Sequence, residues 1–82
     1  MQIQVKLFSQ LREKVGADTI ALELPEGASA AQALAKLCQQ CPVLQPHLEN
    51  TRFALHLDFV DATTPLAEGD ELALIPPVSG GN

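Results

Sequence analysis

The sequence predicts an α+β domain, with one main helix packed on a mixed sheet of about five strands. Three observations lead there. Apolar and polar residues alternate near both ends of the chain and in two internal segments, which is the period of half-buried strands. One stretch between them carries apolar residues at helical spacing behind a capping pair. Finally, 82 residues supply material for one hydrophobic core and no second.

The first strand covers residues 2–8, with Ile3, Val5 and Leu7 facing in and Gln2, Gln4 and Lys6 facing out. Phe8 falls on the polar face and is expected to be an exposed aromatic. Ser9 is expected to cap a short helical turn, Gln10 to Val15, that Gly16 closes. Thr19 to Leu24 reads as the second strand, ended by Pro25. Ser29 and Gln32 form a capping box for the main helix, along which Ala30, Ala33, Leu34, Leu37, Cys38 and Cys41 share one stripe until Pro42 stops it. Val43 to Asn50, with Pro46, is expected to be irregular. Phe53, Leu55 and Leu57 mark the inner face of a third strand, and Arg52, Ala54 and His56 its outer face. A short apolar step at Leu66 and the turn Glu68-Gly69-Asp70 lead to the last strand, Glu71 to Ile75. There Leu72 and Leu74 point inward, so Ile75 is a second apolar residue on the wrong face. The domain is thus read as residues 1–75, followed by a flexible C-terminal tail, 76–82.

A hydrophobic fraction of 46% with 18% charge belongs to a folded globule, and no apolar run approaches the length of a membrane-spanning helix. The N-terminus lacks the pattern of a secretion signal, so a cytoplasmic protein is expected, with reduced thiols. The net charge is −5, and it is unevenly placed. All five bases (Lys6, Arg12, Lys14, Lys36, Arg52) lie in residues 1–52, whereas Asp58, Asp61, Glu68, Asp70 and Glu71 occupy the remainder with no base. Such a surface repels nucleic acid and suits a basic protein partner.

Stand-alone catalysis finds little support. The serines have capping roles, no nucleophile elbow is present, and Asp58 and Asp61 sit where turn carboxylates are solvated. Cys38 and Cys41 form one C-x-x-C, but both fall on the helix's apolar stripe, so they read as core positions and no metal or bound cofactor is expected.

The tail, IPPVSGGN, differs in kind. Pro76 and Pro77 cannot continue a strand, and after Val78 and Ser79 the profile narrows to Gly80 and Gly81. Residues 76–81 extend roughly 20 Å. Two glycines are entropically poor where a segment must become ordered, but they suit a terminus that threads a narrow channel. Phe8 and Ile75, misplaced at the ends of the first and last strands, form a docking patch around the tail's root.

These features carry a resemblance. PLAEGDELALIPPVSGG (Pro65 to Gly81) and LFSQLREKVG (Leu7 to Gly16) resemble the small, sulfur-carrying subunits of molybdopterin synthase. The resemblance implies a ubiquitin-like β-grasp fold, with the first and last strands side by side and parallel, bringing Phe8 and Ile75 to the same edge. Phe59 either extends that patch or belongs to the core. An adenylating enzyme related to those of ubiquitin (E1-like) would use ATP to activate the carboxylate of Gly81, and sulfur would then form a thiocarboxylate. The tail would enter the large synthase subunit and pass sulfur to cyclic pyranopterin monophosphate. Gly81 would carry the chemistry, Gly80 would provide clearance, and Pro76, Pro77, Val78 and Ser79 would align the tail.

The sequence departs from the family in two places. His56 stands where asparagine is common, and Asn82 follows the glycine pair. Asn82 must be trimmed, be an appended residue, or mark a chain that no longer carries sulfur. Two rivals remain at this stage: a sulfur carrier for thiamine or cysteine, and a β-grasp interaction module with an inert tail.

Overall fold

Strand β1 (Gln2–Leu7) buries Ile3, Val5 and Leu7, as its alternation requires. On one side it pairs antiparallel with β2 (Thr19–Glu23), Ile3 opposite Leu22. On the other it pairs parallel with β5 (Glu71–Ile75), Val5 opposite Leu72 and Leu7 opposite Leu74. Strand β5 pairs antiparallel with β3 (Arg52–Leu55), and β3 with β4 (Asp58–Val60). The order is β2-β1-β5-β3-β4, with the first and last strands parallel at its centre, as the resemblance implies. This computed structural model describes residues 1–48 and 50–76.

Helix α1 (Ser9–Val15) buries Leu11 and ends at Gly16, whose φ of 83° is the left-handed geometry glycine adopts freely. Its N-cap is Phe8 rather than Ser9. Ser9 makes the bend itself at φ 52°, so its hydroxyl caps nothing. Helix α2 (Ala30–Gln40) has the expected reciprocal box. Ser29 Oγ accepts from the Gln32 N–H at 3.3 Å, and Gln32 Oε1 accepts from the Ser29 N–H at 2.8 Å. Ala30, Ala33 and Leu37 are buried, while Leu34 and the free thiols Cys38 and Cys41 pack at the core's margin.

The segment expected to be irregular instead contains a 3-10 helix, Pro42–His47. Proline at its start pre-sets the helical φ, and Leu44, fully buried, anchors the turn.

Two further differences share one cause. The third strand stops at Leu55, and His56 and Leu57 form a two-residue turn at φ 51° and 70° that sends the chain back as β4. Leu57, expected in the core, is therefore 101% exposed. The apolar step at Leu66 forms no strand beyond one isolated bridge, Ser29 with Pro65, and the fourth strand is instead β4. Leu66 is still buried, its N–H donating to the Ala28 carbonyl at 2.8 Å. The Glu68-Gly69-Asp70 turn is present and clamps the start of β1. The Gly69 N–H donates to the Gln2 carbonyl at 2.8 Å, and Glu68 Oε1 accepts from the Gln2 N–H at 2.8 Å.

Candidate functional site

The sheet turns one face to the core; its other face holds the residues that broke the alternation. Because Leu7 and Leu74 are paired across β1 and β5, the next residues along, Phe8 and Ile75, meet on the open face. They line a shallow cavity of about 430 Å³ together with Ala54, Ala73 and Phe59. Ala54 and Ala73 are direct cross-strand partners, and their small side chains leave the depression that Phe8 and Phe59 wall. Phe8 is 40% exposed and Phe59 59%. The rest of the lining comes from Lys6 and Glu71 and from the turn residues His56 and Leu57.

The patch is thus real as geometry, with one correction to its place. Phe8 and Ile75 share a face in the middle of the sheet, since β1 and β5 are interior strands, and they are not on its edge. Phe59 belongs to the cavity and not to the core. The Arg52 guanidinium lies 4.3 Å from the centre of the Phe59 ring, a cation–π contact between β3 and β4. His56 Nε2 approaches Asp70 Oδ1 at 3.7 Å. Sequence reasoning missed Leu57 as a residue of this site. Its inward phase was misleading, and the only signal against it would have been a turn between Leu55 and Asp58, which no glycine or asparagine announces.

Pro76, half-buried, continues from Ile75 at the cavity's rim. Pro77, Val78, Ser79, Gly80, Gly81 and Asn82 lie outside the described residues. Asp58 and Asp61 are both exposed, as turn carboxylates are expected to be. Asp61 accepts hydrogen bonds from Thr63 Oγ1 at 2.7 Å, the Thr63 N–H at 3.0 Å and Thr64 Oγ1 at 3.3 Å. These donors, the Thr63 hydroxyl foremost, hold its carboxyl below the ordinary aspartate pKa. Among the described residues no helix is long and apolar enough to cross a membrane, and no three His, Cys, Asp or Glu residues gather where a metal could sit.

An open apolar sheet face and a sequence that leaves β5 through two prolines toward a glycine pair can be set beside known proteins. The ThiS family model matches residues 5–81. The molybdopterin synthase sulfur carrier subunit of Chlamydomonas reinhardtii is 37% identical, over 99% of this chain and 100% of that protein. Its namesake in Escherichia coli K12 is 34% identical over 96% and 99%. Among solved structures, SAMP1 from Haloferax volcanii superposes with a TM-score of 0.90 at 29% identity, covering 99% of this chain and 100% of that one. The complex of subunits 1 and 2 of molybdopterin-converting factor from Helicobacter pylori contains a chain matched at TM-score 0.69 and 27% identity, over 99% and 100%. With its ubiquitin-like β-grasp sheet and a match over nearly its whole length, this chain belongs to the ThiS family, alongside the molybdopterin synthase sulfur carrier subunits.

Proposed function

We propose that this chain is the sulfur-carrying small subunit of molybdopterin synthase, and that its reactive group is the backbone carboxylate of Gly81. A free carboxylate is too poor an electrophile to accept sulfur. An E1-like enzyme therefore joins it to the α-phosphate of ATP, releasing pyrophosphate, and a sulfur nucleophile then displaces AMP to leave a thiocarboxylate. The loaded tail enters the large synthase subunit, which supplies the basic and catalytic groups, and sulfur passes to cyclic pyranopterin monophosphate. Phe8, Phe59 and Ile75 dock the large subunit, Pro76 to Ser79 align the tail, and Gly80 gives clearance in the channel. ATP serves the activating enzyme and is not held by this chain. On this reading the protein is cytoplasmic, and its partners are proteins, not nucleic acid or membrane.

The observation that carries the reading is one of continuity along the chain. Ile75 lines the apolar cavity, and Gly81 follows it by six residues in the sequence, so the dock and the reactive end are separated by one short proline-stiffened segment. Asn82 must be removed first, because a peptide bond at Gly81 leaves no carboxylate to activate.

Intact mass spectrometry of the protein from its native host tests this directly. The expected species lacks Asn82 and has gained about 16 Da, the difference between oxygen and sulfur. Gly81→Ala is expected to abolish sulfur transfer while retaining binding of the large subunit. Full activity after deletion of Gly80 and Gly81 would establish an inert tail, and transfer to a thiamine or cysteine precursor alone would move the chain to another branch of the carriers.

A further inference from the structure

We propose that Leu57, at the tip of the β3–β4 hairpin, is an anchor residue for the large synthase subunit, filling an apolar socket on that partner fringed by basic groups. The inference rests on the carrier reading above and extends its docking face to a residue outside the strands.

The argument begins with two penalties that nothing within the chain offsets. Leu55 and Asp58 are paired, so the turn has two residues, and both sit at positive φ, 51° for His56 and 70° for Leu57. Turns of this kind favour asparagine followed by glycine, because a Cβ at the second position crowds the backbone. Leucine is a poor choice there. It is also 101% exposed, so it gives the folded domain no burial in return. A residue that is both strained and unburied marks a site shaped for something other than stability. Among the described residues, non-glycine positive φ occurs at Ser9, Asn50, His56 and Leu57. Three of these four line the cavity or directly follow Phe8, which does, so the strain gathers at this face.

Position and charge select the occupant. Leu57 lines the same depression as Phe8, Phe59 and Ile75, and so extends the face from which the tail departs. A partner that takes the tail must cover that face and meet the hairpin tip. Around the tip stand Asp58, next in sequence, Asp70, facing His56, and Glu71 in the cavity lining. Two cations stand nearby, Lys6 in the same lining and Arg52 laid over Phe59, so the three acids outnumber the bases by one. An apolar knob in an acidic surround calls for an apolar socket with a basic rim.

The test is binding of the cognate large subunit to the full chain, read beside thermal unfolding. Asparagine accepts the left-handed backbone but cannot fill an apolar socket. Leu57→Asn is thus expected to weaken binding by about tenfold or more, with the melting temperature unchanged or raised. Leu57→Met, which keeps the apolar volume, is expected to bind as wild type. An affinity loss accompanied by a lower melting temperature would overturn the proposal in favour of a structural role. Wild-type affinity in Leu57→Asn while Phe8→Ala binds weakly would overturn it and leave the docking face standing. Wild-type affinity in both would overturn the anchor and the docking face together. Self-association that Leu57→Asn abolishes without changing large-subunit affinity would replace it with a second copy as the occupant.

Discussion

Asp61 and Leu57 mark opposite fates for single residues in one short stretch. Asp61 is held by the two threonines that follow it, which favour the ionised carboxylate and keep its folded pKa below the unfolded one. Stability from this turn is therefore fully present above the ordinary aspartate pKa and is lost as pH falls through the lowered folded value. Asp61→Asn is expected to unfold at lower urea than wild type at pH 7, with the deficit shrinking as pH falls below the ordinary aspartate pKa. Denaturant titrations at several pH values check this, and a deficit independent of pH would assign the effect to the turn's shape alone. Phe8 and Ile75 were legible because they broke an alternation that their neighbours kept. Leu57 was not, since its phase matched Phe53 and Leu55 and only a backbone reversal could have moved it outward.

Elements with their own chemical punctuation were the readable ones. The capping box of α2 is written in Ser29 and Gln32, and both of its bonds form. Ser29→Ala removes one acceptor and is expected to cost about 1 kcal/mol, visible as a lowered melting temperature. Loss of helix signal without a change in midpoint would contradict it. The box also stands beside the loop that brings the chain back from β4. The Ala30 and Ala31 N–H groups donate to the Thr64 and Ala62 carbonyls at 3.0 and 2.9 Å, leaving the helix start little free backbone. The β3–β4 hairpin and the 3-10 helix lacked such punctuation. One turns on His-Leu in place of Asn-Gly, and the other runs through two prolines that suggest a loop to any local reading.

For the whole molecule, alternation tells which face a strand buries but not which strand lies beside it. Four of the five strands and the single main helix followed from the pattern, whereas the parallel pairing of β1 with β5 came through the family resemblance. That pairing makes β5 the element every other strand depends on. Leu72, fully buried, sits opposite Val5 on one side and Leu55 on the other. Leu72→Ala is expected to cost about 2–5 kcal/mol. A domain of this size has about 5 kcal/mol in all. Circular dichroism at 25 °C is then expected to show a largely unfolded chain, and a cooperative melt near the wild-type midpoint would contradict this. There is a temporal consequence too. Until residues 71–75 leave the ribosome, no strand pairing can join the antiparallel pair β1–β2 to the antiparallel pair β3–β4. Translation thus works as a timer, and a prematurely terminated product has neither the completed platform nor the glycine pair that follows it in the sequence.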